Sequence, residues 1–348
     1  MQLSLPNIRT LSLADLEGVI HQLNEPKYRA QQIYDWLWKK NIQQYDEMTN
    51  LSKSIREKLA QQYAFPALKI DLFQESADGT IKTKFKTFDN HFIEGVLIPT
   101  EERKTACVSS QIGCSLTCSF CATGKMGRKR NLQFDEIVDQ VAFIQKQSIE
   151  KTGKHLTNIV FMGMGEPLLN YQQVLKAIDK ITHPTGMGMS ARRITVSTAG
   201  VAKQIKQLGD DQVRFKLALS LHAANDHKRS QIMPINDSNN IKSLIEALNY
   251  FYAKTNNEIT FEYILLNNFN DAEKDALELV KVYRQVPIDL VNIIEYNPIE
   301  YGTFKKPDEQ GFERFIEILH KNKVNVRVRK SRGKDIDAAC GQLANIKS

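Results

Sequence analysis

From Ala106 onward the chain repeats one rhythm, a short apolar strand, a loop and an amphipathic helix, and this repetition constrains the fold more than any other feature. Strand-like runs are Asn158–Met162 (NIVFM), Ile194–Ser197 (ITVS), Lys216–Leu221 (KLALSL), Ile259–Leu265 (ITFEYIL) and Leu290–Glu295 (LVNIIE). Between them lie helical patterns at Phe134–Glu150, Tyr171–Ile181, Val201–Leu208, Ile241–Ala253 and Ala272–Arg284. Strands alternating with helices predict an α/β fold, a parallel sheet or partial (βα) barrel with helical crossovers. A last helix, Gly311–His320, leads to Val324–Val328, where valines alternate with polar or basic residues as on a half-buried strand.

In such folds ligands collect where the βα loops converge, at the carboxyl ends of the strands. The residues there are Gly163-Met164-Gly165-Glu166, Ser197-Thr198-Ala199-Gly200, Ser220-Leu221-His222 and Asn297-Pro298. They are small or polar.

The front of the chain reads differently. Up to about Tyr63 it is helical: Lys27–Lys39 places Tyr28, Ile33, Trp36 and Leu37 at helical spacing, and Ser52–Tyr63 continues in the same way. From Leu68 to Pro99 short alternating runs surround an Asp78-Gly79 turn signal and predict a small antiparallel β insertion. The expected organisation is a helical accessory module (1–65), a β insertion (66–105), the (βα) core (106–310) and a C-terminal extension (311–348).

A chain of 348 residues, 42% hydrophobic and 25% charged, is long enough for a large core and is neither a disordered nor a membrane-type sequence. No apolar run approaches the roughly 20 residues that span a bilayer, and the N-terminus lacks a basic region followed by an apolar one. A cytoplasmic setting is expected, and the default oligomeric state is a monomer. The five cysteines then point to metal binding or catalysis rather than to a disulfide framework. Net charge is +7, which fits a polyanionic partner. Lys125, Arg128, Lys129 and Arg130 follow a cysteine cluster, and Arg327, Arg329, Lys330, Arg332 and Lys334 precede the last cysteine. Such runs are ordinarily solvated surface, but both adjoin the unusual chemistry of the chain.

That chemistry begins at Cys114-Ser115-Leu116-Thr117-Cys118-Ser119-Phe120-Cys121. Three thiolates from one tight loop can converge on a metal centre. Iron–sulfur clusters usually take four cysteines, so three leave one iron open to another ligand. A structural zinc site would need a fourth ligand, which Cys107 could supply. The CxxxCxxC spacing with an aromatic before its third cysteine is the radical-SAM signature, and a βα series follows it as in that superfamily. The two remaining cysteines are Cys107, in Cys107-Val108-Ser109-Ser110-Gln111-Ile112-Gly113-Cys114, and Cys340, in Ala339-Cys340-Gly341-Gln342-Leu343. A lone cysteine is ordinarily a small buried hydrophobe.

Taken with Gly163-Met164-Gly165-Glu166-Pro167, Ser197-Thr198-Ala199-Gly200, Ser220-Leu221-His222-Ala223 and Tyr296-Asn297-Pro298, the pattern resembles one radical-SAM family, the adenine methyltransferases of 23S ribosomal RNA and transfer RNA. The resemblance runs essentially end to end, and its helical front module is in that family an RNA-contacting appendage. It implies a partial radical-SAM barrel and a 4Fe–4S cluster on Cys114, Cys118 and Cys121. It also implies methylation of carbon 2 of adenine, at adenosine 2503 of the peptidyl transferase centre and adenosine 37 of transfer RNA. Two molecules of S-adenosylmethionine would serve each turnover. The Cys340 thiolate takes a methyl group from the first, as a sulfur nucleophile can. The second yields a 5′-deoxyadenosyl radical that removes hydrogen from this S-methyl group, and the methylene radical adds to the adenine ring. Cys107 matches the family residue that releases the RNA by forming a transient disulfide, and Glu94 matches the glutamate that takes a proton.

A radical route suits the target, because carbon 2 of adenine is electron-poor and offers no lone pair for displacement on a sulfonium. From the residues alone, Glu94 is a carboxylate on the solvated face of an alternating strand. Gly165 and Glu166 correspond to contacts with the amino group of S-adenosylmethionine, and Ser197, Ser220, Leu221, His222 and Asn297 to contacts with its carboxylate, ribose and adenine. Independently, a lone His beside apolar residues is usually a satisfied structural one. The one-electron donor would by analogy be a flavodoxin or ferredoxin. Two alternatives remain open. One is carbon-8 methylation of the same ribosomal adenine, against which Pro167-Leu168 after Gly165-Glu166 resembles the carbon-2 branch. The other is a non-catalytic RNA-binding protein with Cys107, Cys114, Cys118 and Cys121 around one metal, which leaves Cys340 unexplained.

Overall fold

The computed structural model describes residues 5–300 and 302–344. Its strands in chain order are β1 (Lys69–Glu75), β2 (Ile81–Lys86), β3 (Phe92–Pro99), β4 (Lys104–Cys107), β5 (Gln111–Ile112) and β6 (Arg130–Asn131). They continue with β7 (Asn158–Phe161), β8 (Ile194–Thr198), β9 (Lys216–Ser220), β10 (Ile259–Leu265), β11 (Leu290–Glu295) and β12 (Val326–Arg329). The helices are α1 (Leu13–Gln22), α2 (Tyr28–Trp38), α3 (Lys53–Gln62), α4 (Ala122–Lys125), α5 (Phe134–Thr152) and α6 (Tyr171–Thr182). After them come α7 (Ala202–Asp210), α8 (Asp226–Ile232), α9 (Ile241–Thr255), α10 (Glu273–Tyr283) and α11 (Glu309–Lys321).

Ten strands form one sheet in the order β1-β2-β3-β4-β7-β8-β9-β10-β11-β12. The first four pair antiparallel, and from β4 onward every pairing is parallel. The expected α/β class with a parallel, helix-connected series is the observed one. β4 is the junction of the two halves, and on it Cys107 lies opposite Val96 of β3 and Val160 of β7. Its four residues, KTAC, carry no apolar run, which is why the strand did not stand out in the sequence.

Local chemistry explains the main elements. β10 is buried at every position, as a central parallel strand covered on both faces should be. α6 buries Val174, Ala177, Ile178 and Ile181 on one stripe, the valine and isoleucines each contributing about 1.5–3 kcal/mol when fully withdrawn from water. α5 ends at Gly153, whose φ of 68° is the left-handed conformation that closes helices. α9 begins at Asn240, whose side chain accepts from the Ser243 amide.

The helical module docks on α5 through Arg9. This side chain is 2% exposed and reaches Asp135 at 3.2 Å and Asp139 at 2.5 Å. It also donates to the Pro66 carbonyl at 2.8 Å. Trp38 stacks on Phe134 of α5 with ring centroids 5.6 Å apart, so the module shares its core with the barrel rather than closing on itself. Tyr28, expected on the apolar stripe of its helix, is 56% exposed. Trp38 is the tryptophan that faces inward.

Candidate active site

The carboxyl ends of the parallel strands open into a cleft. Its walls include Phe161 at the end of β7 and Met162 and Gly163 after it, Ser197 and Thr198 of β8, Ser220 of β9, Glu262 and Ile264 of β10, Ile294 of β11 and Arg329 of β12. Cys114, Cys118, Cys121 and Cys340 line the same space. The cysteine loop and a residue more than two hundred positions later thus meet at the rim where βα loops converge.

The loop is held in place before any metal is considered. The Leu116 amide donates to Cys114 Sγ at 3.4 Å, and the Ser119 amide donates to the Ile232 carbonyl at 3.0 Å. Phe120 packs edge-on against the His222 ring, with centroids 4.8 Å apart. Burial pushes the Cys114 thiol up to about 11, partly relieved by the Leu116 amide. Burial raises Cys118 and Cys121 as well, and a thiolate at Cys121 or Cys114 would raise Cys118 further. Thiols crowded in this way ionise together only when cations share the space. Among the described residues no three His, Cys, Asp or Glu side chains surround a single ion position. Cys114, Cys118 and Cys121, three thiols on one cleft wall, are a donor set that would suit an iron–sulfur cluster. Cys107 lies on β4 and is not among the residues that line the cleft.

Cys340 is brought to the loop by the main chain around it. The Gly341 carbonyl accepts from the Ala122 amide at 2.7 Å, and the Thr123 hydroxyl donates to the Leu343 carbonyl at 2.6 Å. Gly341 has φ +84°, and a Cβ there would lie 3.2 Å from the Phe120 carbonyl oxygen. Asn297 donates to the Cys340 carbonyl at 3.4 Å, and Gln342 donates to the Pro298 carbonyl at 3.0 Å. The Cys340 side chain itself belongs to an exposed residue.

Cys107 is buried, and its thiol is pushed up to about 12 by burial and by the charge of Cys340. Arg329 acts on both thiols. Its guanidinium bonds Glu262 at 3.0 Å while about a third of the side chain remains open. Glu262 is 3% exposed and also accepts from Asn292 at 2.7 Å. Glu94, expected on a solvated face, is 2% exposed. Its Oε2 accepts from the Ala344 amide at 3.0 Å and its Oε1 lies 3.8 Å from Lys82 Nζ. The C-terminal segment covers it, a contact between residues 250 positions apart that strand alternation cannot foresee. Glu94 is not among the residues lining the cleft.

The residues matched to S-adenosylmethionine divide into three kinds. Gly165, Glu166, Ser197, Ser220 and His222 line the cleft. Gly165 has φ +97°, and a Cβ there would stand 2.5 Å from Cβ of Gln111, so only glycine fits. Glu166 is buried, which raises its pKa against the pull of the amides it accepts from, Ala199 at 2.7 Å and Leu168 at 2.9 Å. A hydrogen bond from the Thr198 side chain pulls in the same direction as these amides. Ser197 and Ser220 hydroxyls lie 3.3 Å apart. His222, at φ +56°, accepts at Nδ1 from the Ile264 amide and is lowered to about 3 by burial and by Arg229. It is a neutral structural ring. Leu221 is fully buried and acts through its main chain, bonded to Glu262 and Arg229. Asn297 grips Cys340 rather than the cleft.

Sequence reasoning missed Glu262 and Arg229. A carboxylate inside the apolar run ITFEYIL was a usable signal for the first. The basic runs also divide. Lys125, Arg128, Lys129, Arg327 and Lys330 are exposed. Arg130 is held by Asp89 and Glu136, and Lys334 by Glu295. Arg329 points into the cleft.

Two family models match the chain. One described as "Ribosomal RNA large subunit methyltransferase N-terminal domain" covers residues 6–64, and one described as "Radical SAM superfamily" covers residues 108–280. Over 337 residues the chain is 51% identical to the "Probable dual-specificity RNA methyltransferase RlmN" of Cytophaga hutchinsonii, spanning 97% of this chain and 92% of that protein. It is 41% identical over 341 residues to the protein of the same name from Streptococcus agalactiae serotype Ia, spanning 97% and 93%. The crystal structure of a radical SAM methyltransferase from Sphaerobacter thermophilus superposes with a TM-score of 0.92 at 41% identity, covering 97% of this chain and 99% of that one.

Proposed function

The chain belongs to the RlmN family of dual-specificity radical SAM RNA methyltransferases, and from that premise we propose that it methylates carbon 2 of adenine in 23S ribosomal RNA and transfer RNA through an S-methylated Cys340. The observation that carries the reading is the shared cleft: Cys340 and the Cys114–Cys121 loop line one space, and the Ala122 amide bonds the Gly341 carbonyl at 2.7 Å. When bound, a 4Fe–4S cluster would supply the single electron that cleaves S-adenosylmethionine.

Cys114, Cys118 and Cys121 hold that cluster. Glu166 receives the amino group of S-adenosylmethionine over the close approach that Gly165 permits, and Ser197 and Ser220 offer hydroxyls along the floor. The Cys340 thiolate attacks the methyl carbon of the first S-adenosylmethionine, and S-adenosylhomocysteine departs as the leaving group. After hydrogen abstraction from that S-methyl group by the 5′-deoxyadenosyl radical, the methylene carbon adds to carbon 2 of adenine; one electron, which the cluster would take back, and the carbon-2 proton then leave, and the RNA stays tied to Cys340 as a thioether. The Cys107 thiolate then attacks Cys340 Sγ; the S–S bond forms as the C–S bond breaks, and the methylene carbon keeps that electron pair and takes a proton to become the methyl group of the adenine. Arg329 beside both sulfurs suits this step, since it stabilises whichever thiolate is present. Glu94 is assigned by family correspondence as the base that takes the ring proton. A low-potential flavodoxin or ferredoxin fits as the electron donor.

The test is anaerobic incubation of the reconstituted chain with S-adenosylmethionine, reductant and a ribosomal RNA fragment. Formation of 2-methyladenosine and 5′-deoxyadenosine is expected, whereas 8-methyladenosine would reassign the product. Cys107→Ala is expected to trap RNA on the protein with the cluster intact, and loss of metal from this variant would point to the four-cysteine knot instead. Cys340→Ala is expected to abolish both methylation and trapping.

A further inference from the structure

A charge withdrawn from water is costly unless an opposite charge accompanies it. The other inward-facing arginines obey this rule: Arg9 has Asp135 and Asp139, Arg130 has Asp89 and Glu136, and Arg329 has Glu262. Arg229 does not. It is fully buried, yet it donates only to uncharged oxygens: Leu221 O at 3.0 Å, Asn236 Oδ1 at 2.9 Å, Ala199 O at 2.6 Å and Ser220 O at 3.3 Å. Among the described residues no carboxylate oxygen lies within 4.0 Å of it. The nearby acid Asp226 spends its Oδ1 on the Asn236 amide and the Ile241 amide. Burial accordingly drags the guanidinium down to about 10, opposed first by Cys118 and then by Asp226.

The missing negative charge has an evident place. Arg229 sits on α8, whose last residue, Ile232, accepts from the Ser119 amide of the cysteine loop at 3.0 Å. Cys118 packs into the same apolar cluster as Ile232, Met233 and Ala199. An iron–sulfur cluster held by three thiolates carries net negative charge when oxidised and one further negative charge when reduced.

We propose that Arg229 is the fixed counter-charge of the iron–sulfur cluster, a positioning residue that raises the cluster's reduction potential from beneath Cys118. The inference rests on the reading that Cys114, Cys118 and Cys121 hold such a cluster. Because the guanidinium donors are directed at carbonyl and amide oxygens, the effect acts through charge rather than through hydrogen bonds to sulfur. It favours the more negative, reduced state, so that one electron from a low-potential donor enters more readily. The same bonds fasten the ends of β8 and β9 to α8 and keep the charge in place.

The experiment is an EPR-monitored reductive titration of the full chain, reconstituted anaerobically with iron and sulfide, for wild type, Arg229→Lys, Arg229→Gln and Asp226→Asn, each with iron and sulfide content measured. Arg229→Lys, which keeps the charge and loses the fork, is expected near the wild-type potential. Arg229→Gln is expected at a lower potential, and Asp226→Asn, which keeps Arg229 and removes the nearby acid, at a higher one. A merely structural role predicts that Lys and Gln behave alike. Equal potentials in loaded Lys and Gln variants overturn the proposal, and so does an unshifted potential in Asp226→Asn should Gln fail to load. A wild-type chain that binds no cluster overturns the underlying assignment instead.

Discussion

The main-chain amide of Ala122, the residue after the third cysteine of the loop, donates to the carbonyl of Gly341, the residue after Cys340, at 2.7 Å. The cysteine loop and the Cys340 segment are therefore parts of one hydrogen-bonded unit. Because this contact is between main chains, substitution of either cysteine leaves it in place. Variants at Cys340 consequently report chemistry rather than lost docking.

The thiols should differ sharply in reactivity before any cofactor is loaded. Cys340 belongs to an exposed residue, while Cys107 is buried with its thiol pushed up to about 12 by burial and by Cys340. Only the thiolate reacts with alkylating agents, so Cys340 is expected to be labelled by iodoacetamide at least about tenfold faster than Cys107. Peptide mass spectrometry over a time course checks this, and equal rates would contradict the burial of Cys107.

The Arg329–Glu262 pair should act as a unit. Replacing Arg329 by Met strands a buried carboxylate and is expected to cost about 2 kcal/mol, less than a fully buried pair because a third of Arg329 is open. Glu262→Gln keeps the hydrogen bonds and should cost less. In urea denaturation the double variant should be more stable than the sum of the two losses predicts, and strict additivity would show that the pair contributes nothing.

At Gly165 the backbone leaves no choice of residue. Alanine would meet Gln111 Cβ at 2.5 Å and the Gln111 amide nitrogen at 2.8 Å while adopting φ +97°. Gly165→Ala is expected to weaken S-adenosylmethionine binding by about tenfold or more, about 1.4 kcal/mol. Equilibrium dialysis on cluster-loaded protein measures it. Wild-type affinity would mean that the Gly163–Glu166 loop does not contact the ligand.

A pH effect follows from Asp89. Its burial would raise the carboxyl, but hydrogen bonds from Arg130 and Thr87, with the Arg130 charge, hold it well below the usual carboxylate range. A depressed folded-state value gives stability that is present above the ordinary carboxylate pKa of about 3.9 and fades as pH falls through the lower folded value. Asp89→Asn should therefore lower Tm at neutral pH, and the gap to wild type should shrink with acidification below about pH 4. A gap that does not change with pH would assign the loss to hydrogen-bond geometry alone.

How far the sequence foretold these features depends on the range of the contacts. CxxxCxxC is local, so its convergence was legible from spacing, and the strand–helix rhythm was legible because burial is periodic within each element. Glu94 was misplaced because Ala344 covers it. The Glu262–Arg329 bond spans 67 positions, so a basic run of the kind that is ordinarily solvated surface hid a side chain turned inward. α8 escaped notice because only Arg229 and Ile232 of its residues are buried, too few for a periodic signal.

The anchoring of the C-terminal segment sets the style of the proposed catalysis. Gly341 and Leu343 are fastened to the cysteine loop, Gln342 to Pro298, and the carbonyl of residue 340 to Asn297. With its backbone clamped on both sides, the methyl carrier is no swinging arm. Its sulfur turns about a single bond like a bearing, and a target nucleotide has to be drawn out of its own structure and delivered to that spot.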